Sequence, residues 1–135
     1  MKRLLVLLAL FAISLSGSHL FAQDAITPDV NFYNDDLLRN YSKAADFFDN
    51  PKDYVGKTIQ IILLPQISGT LRSFVGANVP FRAYTDAPSG INLYIKIPEG
   101  MKVPNAGTMD RLMIVFRCDK GSLSTGNVVL SITRY

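Results

Sequence analysis

The chain has few of the side chains on which catalysis and covalent cross-linking most often depend. Its 135 residues include one cysteine, one histidine, one glutamate and no tryptophan. A single cysteine, Cys118, excludes an internal disulfide, so a hydrophobic core must supply the stability. Cys118 follows Phe116 on an apolar strand face, which is typical of a buried free thiol, although pairing between molecules stays open.

Residues 1–22 have the layout of a secretory signal peptide. Two basic residues precede an apolar run, Leu4–Leu15. This run is about 12 residues long, shorter than the roughly 20 that a membrane-spanning helix needs. We expect cleavage after Ala22, with Ser18 as the alternative site. The predicted location is therefore periplasmic or secreted, with no membrane span after cleavage.

Removal of this segment would change both the catalytic side chains and the net charge of the mature chain. The single histidine, His19, would be lost, and with it the usual general base and zinc ligand. Loss of two of the 14 basic residues would leave 12 against 11 acidic ones, so the net charge would fall from +3 to about +1. Such a chain lacks the strong field of a dedicated nucleic-acid binder. The nearest approach to a catalytic group, Asp110 with Arg111 and Asp119, has no recognisable spacing, so we predict no enzyme activity, no metal and no cofactor.

One helix is predicted after a flexible leader at residues 23–33. Asn34 can cap it, acidic residues follow in the first turn, and Asn50-Pro51 ends it near Asp49. The residues that recur at helical spacing and form the expected core face are Leu37, Tyr41, Ala44, Ala45 and Phe48. A partner-binding amphipathic helix is the alternative reading of the same stripe.

Beyond Tyr54 the hydrophobic period changes to two, which predicts about five strands. The predicted strands are 58–64 (extended at most to 68), 70–74 with 79–84, 91–97, 110–118 and 127–134. The second of these is either two short strands or one bent strand with a bulge at 76–78. In strand 110–118, Leu112, Ile114, Phe116 and Cys118 are expected to share one face. In strand 127–134, Val128, Leu130 and Ile132 are expected to do the same.

Three stretches carry a family resemblance: NPKDYVGKTIQI, LYIKIP and DRLMIVFRCDKGSLSTGNVVLSITRY. A first strand entered through Y-x-G-K and a closing hairpin with G-N-x-x-L resemble the bacterial OB-fold proteins of the tRNA-anticodon-binding-like group. The likeness covers residues 34–135 and implies a mainly β, five-stranded Greek-key barrel with an N-terminal α-helix. It also implies ligand contact on the second and third barrel strands and on the rim loops. Residues 101–109 contain Pro104 and Gly107, so we expect a loop where many such barrels carry a helix.

The glycine-rich segment Gly121–Gly126 has the spacing of a phosphate-binding loop. A phosphate loop requires Lys and then Ser or Thr after the second glycine, and a helix must follow. Here Asn127 and Val128 occupy those positions and a strand follows. The segment is therefore predicted to be a hairpin loop between the fourth and fifth barrel strands.

Cations and flat rings on the middle strands, with hydroxyls on the hairpin loop, are the candidate binding residues. They are Arg72, Arg82, Tyr84, Tyr94, Lys96, Ser122, Ser124 and Thr125. Such a mixture suits a peptide, an oligosaccharide or an anionic ligand, although a solvated face with ordinary cross-strand pairs is the simpler reading. The function predicted is an exported, non-catalytic binding module. The alternatives are an assembly module that pairs with another envelope protein and, disfavoured by the charge, a single-stranded nucleic-acid binder.

Overall fold

The computed structural model describes residues 26–32 and 40–135. The predicted signal peptide and the predicted helix start at Asn34 lie outside these ranges, as does Leu37. The described elements are strand β1 (Val30–Asn31), helix α1 (Asn40–Asp49), and strands β2 (Thr58–Pro65), β3 (Asn78–Ala83), β4 (Leu93–Lys96), β5 (Leu112–Cys118) and β6 (Asn127–Arg134). Two short 3-10 helices, Pro51–Tyr54 and Leu71–Phe74, precede β2 and β3 respectively.

Five strands close into a barrel. β2 pairs antiparallel with both β3 and β5, β3 pairs with β4, and β5 pairs with β6. A parallel pairing of β4 with β6 completes the circle, and β1 adds to β2 in parallel. The chain is thus mainly β, with the Greek-key order β2-β3-β4-β6-β5 that is consistent with an OB-fold-like barrel. This confirms the fold predicted from the sequence.

Aliphatic and aromatic side chains fill the barrel because alternate residues of each strand point inward. The fully buried large side chains on the strands include Ile59, Ile61, Leu63, Phe81, Leu93, Ile95, Leu112 and Phe116. Burial of each such side chain stabilises the fold by about 1.5–3 kcal/mol. The predicted inward face of β5 is confirmed, and Cys118 is a buried free thiol whose Sγ lies 3.9 Å from the carbonyl oxygen of Pro51.

A bulge in β6 changes which of its residues face the core. The register pairs are Val115↔Ser131 and Phe116↔Val129. Leu130 is therefore the extra residue, and the inward phase shifts by one position at that point. Val129 and Ile132 are buried, whereas Val128 and Leu130 are half-buried outside the main core. The prediction that Val128 and Leu130 align with Ile132 is wrong for this reason.

The segment predicted as strand 70–74 is instead a 3-10 helix, Leu71–Phe74. Gly69 and Gly76 flank it with φ of 99° and 90°, and positive φ turns the chain away from an extended path. Leu71 enters the core and its N–H donates to the carbonyl of Ala106 at 2.7 Å. The bulge expected at 76–78 is likewise absent, because a turn there leads directly into β3.

The remaining boundaries differ less from the predictions. β2 ends at Pro65 and does not extend to residue 68, and β4 is shorter than the predicted 91–97. Residues 101–109 contain no helix, as expected.

Helix α1 closes the end of the barrel at which β2 begins and β5 ends. Its Phe47, which the predicted stripe omitted, is fully buried, with ring centroids 5.8 Å from Phe116 and 5.4 Å from Tyr54. Ala44 and Phe48 join the same core cluster. We call this aromatic closure, centred on Phe47, Tyr54 and Phe116, the plugged end.

Asp86, in the loop between β3 and β4, holds the first described turn of α1. Its carboxylate accepts hydrogen bonds from the backbone N–H groups of Tyr41 at 2.6 Å and Ser42 at 3.1 Å, and from the Ser42 hydroxyl. Burial alone would raise the pKa of Asp86, but the bonds from Ser42 and Tyr41 outweigh it, so the pKa lies below its ordinary value. Negative charge at a helix N-terminal turn is also favoured by the helix dipole.

Candidate functional site

An open pocket of about 430 Å³ lies beside the β2–β3 pairing, where the residues that follow β3 meet the loop before β5. We call it the rim pocket. Its lining residues are Leu64, Gln66, Arg82, Tyr84, Thr85, Thr108, Met109 and Arg111. The pocket therefore combines two guanidinium groups, one aromatic ring and the apolar side chains of a leucine and a methionine.

Arg111 is held in this pocket by rings. Its guanidinium carbon lies 4.9 Å from the ring centroid of Tyr84 and 6.0 Å from that of Tyr135. Cation–π contacts at exposed sites contribute about 0.5–1 kcal/mol each, and they leave the N–H donors at the edge of the guanidinium available. Arg111 is exposed and forms no ion pair with the residues that the structure describes.

Arg82 supplies the second cation. It projects outward from β3 opposite Leu64 of β2, and it is exposed. Within 26–32 and 40–135 its side chain has no hydrogen-bond or ion-pair partner. The eight lining residues include two arginines and no carboxylate, so the lining itself is positively charged. Guanidinium groups bind carboxylates and phosphates through paired N–H donors, so this arrangement favours an anion.

Neighbouring carboxylates are engaged elsewhere. Asp110 accepts a hydrogen bond from the N–H of Gly107 at 2.8 Å and pairs with Arg134 at 3.2 Å. The Gly107 bond and then the Arg134 charge place the pKa of Asp110 below its ordinary value, although desolvation opposes them. Asp119 pairs with Arg117 at the other end of β5. The seven residues of this strand, at about 3.4 Å each, separate Asp119 from Asp110 by roughly 20 Å or more. Asp110 and Asp119 therefore do not form one site.

No group of three or more His, Cys, Asp or Glu side chains suited to a metal ion occurs within the described part of the chain. The acidic side chains there serve helix α1, turns and ion pairs, as Asp86, Asp110 and Asp119 illustrate.

Of the eight predicted binding residues, Arg82 and Tyr84 come together in the rim pocket. Tyr84 follows the last residue of β3 and is half-buried. Arg72 lies on the 3-10 helix before β3 and not on a strand, and it does not line the rim pocket. Tyr94 faces outward on β4 opposite Pro80 but does not line the rim pocket.

Lys96, also on the outer face of β4, has a structural contact. Its ammonium donates a hydrogen bond to the carbonyl of Gly76, which ties β4 to the turn before β3. A lysine used in this way is less available to a ligand than the unpaired Arg82.

The segment Gly121–Gly126 is the hairpin loop between β5 and β6, as predicted, and the N–H of Asp119 donates to the carbonyl of Gly126 at 2.7 Å. The hydroxyls of Ser122 and Ser124 lie 3.0 Å apart and hydrogen-bond to each other. Thr125 is exposed. None of these hydroxyls lines the rim pocket.

Asn127 shows why this loop is not a phosphate cradle. Its side chain is buried, and its amide N–H₂ donates to the carbonyls of Tyr94 at 3.0 Å and Ser122 at 2.9 Å. The residue therefore fastens the loop to β4, in the place where a phosphate loop requires a free lysine. A strand, β6, follows it, so no helix N-terminus faces an anion.

Six lining residues were not predicted as binding candidates, and Arg111 and Met109 are the most exposed cation and apolar side chain among them. These two come from the loop before β5, whereas Leu64 and Gln66 come from the end of β2. The β2–β5 pairing and the hydrogen bond from the Thr108 hydroxyl to the carbonyl of Ile67 at 2.6 Å bring these stretches together. A basic residue at the start of the predicted strand 110–118 was the one available signal.

No family model, no curated protein and no solved structure matches this chain. Among the helices of residues 26–32 and 40–135, none has the length and apolar composition needed to cross a bilayer.

Proposed function

We propose that this chain is an exported, non-catalytic binding module whose rim pocket takes an anionic ligand. The observation that carries the proposal is the pair of guanidinium groups, Arg82 and Arg111, in a pocket whose lining contains no carboxylate. Export rests on the charged head and apolar run of residues 1–22.

The other lining residues favour an acidic oligosaccharide over a simple inorganic anion. The Gln66 amide and the Thr108 hydroxyl donate to the carbonyls of Pro65 at 3.2 Å and Ile67 at 2.6 Å, and their oxygens can accept hydrogen bonds from sugar hydroxyls. Leu64 and Met109 offer apolar surface to the face of a sugar ring. Met109 is 90% exposed, so its side chain is accessible to a ligand in the pocket. Carboxylates on the sugar would meet the two arginines.

The test measures binding of digalacturonic acid by calorimetry, with the uncharged galactose disaccharide as the matched ligand control. Arg82→Ala and Arg111→Ala should each weaken digalacturonate binding by about tenfold or more, because each removes a charge-assisted hydrogen bond. Arg72→Ala removes an exposed arginine outside the pocket and should leave affinity unchanged.

Equal binding of the neutral disaccharide, or an equal loss in Arg72→Ala, would contradict the proposal. A third probe, octathymidine, separates the nucleic-acid alternative. Two phosphates neutralised by two arginines predict weak binding with a log–log salt slope of about −1.4. A tight complex with a much steeper slope would instead favour single-stranded nucleic acid.

A further inference from the structure

A second concave site lies on the barrel wall, where β4 and β6 separate. Their parallel pairing consists of one register pair, Lys96↔Val128. Beyond that pair the chains diverge and leave a space of about 480 Å³. We call it the β4–β6 gap; its lining residues are Gly100, Met101 and Lys102 on one side and Leu130, Ser131 and Ile132 on the other.

The pairing stops for a local chemical reason. Backbone groups of a strand point alternately to its two neighbours, so after Lys96 the next residue aimed at β6 is Pro98. Proline has no N–H to donate, and the Pro98 carbonyl already accepts a hydrogen bond from Met101 N–H at 3.3 Å. Gly100, with φ of 79°, then turns the chain away.

This divergence leaves part of the β6 edge unpaired. Tyr135 N–H donates to the carbonyl of Arg111 at 3.0 Å, so these two residues form a hydrogen-bonded pair. In an antiparallel ladder, every second residue pair toward the start of β6 is then hydrogen-bonded as well. Thr133 and Ser131 then direct their backbone groups to β5, whereas those of Ile132 point into the β4–β6 gap. In the part of the chain that the structure describes, no backbone partner meets Ile132 on that side.

We infer that the β4–β6 gap is a peptide-binding site, in which an extended segment of a partner protein adds as a strand to β6. An unpaired strand edge presents backbone donors and acceptors that another extended chain satisfies best. Met101 and Leu130 are half-buried beside the edge and offer apolar contact to alternate side chains of the peptide.

The charge of the gap indicates which peptide fits. Lys102 is exposed, and the six lining residues include no acidic side chain. An acidic residue in the added strand would compensate this charge. A second copy of the chain fits less well, because symmetric pairing of two β6 edges would bring two Lys102 side chains to one interface without an acid between them. The gap shares no lining residue with the rim pocket, so this inference does not rest on the oligosaccharide proposal.

The test uses isotope-labelled protein and end-capped hexapeptides that alternate threonine and valine around one glutamate. Backbone amide NMR signals of Leu130, Ser131 and Ile132 should shift on titration, while those of the rim pocket should not. Two further peptides carry N-methyl groups on alternate amides, in opposite phases. One phase should lose about tenfold or more in affinity because its methyl groups face β6, and the other should bind as the parent does.

A charge reversal gives the matched protein control. Lys102→Glu should weaken binding of the glutamate peptide and strengthen binding of a peptide with lysine in place of the glutamate. Lys52→Glu, an exposed lysine on the 3-10 helix at the plugged end, should change neither.

Three outcomes would overturn the inference. One is the absence of any shift at Leu130–Ile132 at millimolar peptide. Another is equal binding of both methylated phases, which would show that no strand ladder forms. The third is a concentration-dependent dimer whose β6 amides become protected from hydrogen exchange, which would assign the edge to a second copy of the chain.

Discussion

The plugged end and the rim pocket are built from opposite kinds of side chain. At the plugged end, Phe47 lies against Phe116 and Tyr54 and excludes water. At the rim pocket, Arg82 and Arg111 carry charges that no carboxylate compensates in the lining. Buried rings stabilise folding strongly, whereas exposed cations contribute little to it. The comparison indicates that the plugged end serves folding, whereas the charges of the rim pocket contribute little to it.

The largest expected effect comes from removing the plug. Phe47→Ala should lower the free energy of unfolding by about 3–5 kcal/mol, because the lost ring leaves a cavity among packed neighbours. Denaturation with urea measures this change.

Met109→Ala at the rim pocket is the matched control. Its side chain is 90% exposed, so the substitution should change stability by less than about 0.5 kcal/mol. Similar losses of unfolding free energy in both variants would remove the distinction between the plugged end and the rim pocket.

A smaller effect is expected at Asp86, whose loop joins the rim pocket residue Thr85 to helix α1. Asp86→Asn should reduce stability by about 1 kcal/mol near neutral pH, because the hydrogen bonds to the first described turn of α1 lose their charge. Urea midpoints at a series of pH values provide the measurement.

The pH dependence has a definite sign. The folded pKa of Asp86 is lower than the unfolded value of about 3.9, so its contribution is fully present above that value and is lost as pH falls through the folded pKa. The difference in stability between wild type and Asp86→Asn should therefore shrink below about pH 4. A difference that stays constant through this range would show that the carboxylate charge is not involved.

The effect of Arg111→Ala on stability should be no larger than that of Asp86→Asn. Loss of its contact with Tyr84, the closer of its two rings at 4.9 Å, should lower the free energy of unfolding by about 0.5–1 kcal/mol. Binding of an anion at the rim pocket should fall much more than stability does, and equilibrium unfolding measured beside calorimetry separates the two. A stability loss as large as that of Phe47→Ala would assign Arg111 to the fold and not to a ligand.

Period-two alternation predicted the inward face of β5 because its pairing with β2 is regular. It failed in β6, where the extra residue Leu130 shifts the phase, since a bulge depends on how β5 meets β6 and not on local sequence. Phe47 was missed because a stripe drawn through Tyr41, Ala44 and Phe48 passes beside it. Its burial depends on the barrel end that the helix covers.

The candidate site was predicted in part. Arg82 and Tyr84 were identified from their outward positions near the end of one strand, and the structure places both in the rim pocket. Arg111 was not identified, because its role depends on the position of Tyr84, 27 residues earlier in the chain. Arg72 was assigned to a strand, but the flanking glycines have positive φ and the segment between them is a 3-10 helix.

The buried thiol of Cys118 can report local opening of the fold under native conditions. Its sulfur is fully enclosed beneath the Pro51 carbonyl, so an alkylating reagent can reach it only after this region parts from the barrel. The rate of modification under native conditions therefore reports how often that opening occurs, without any introduced label.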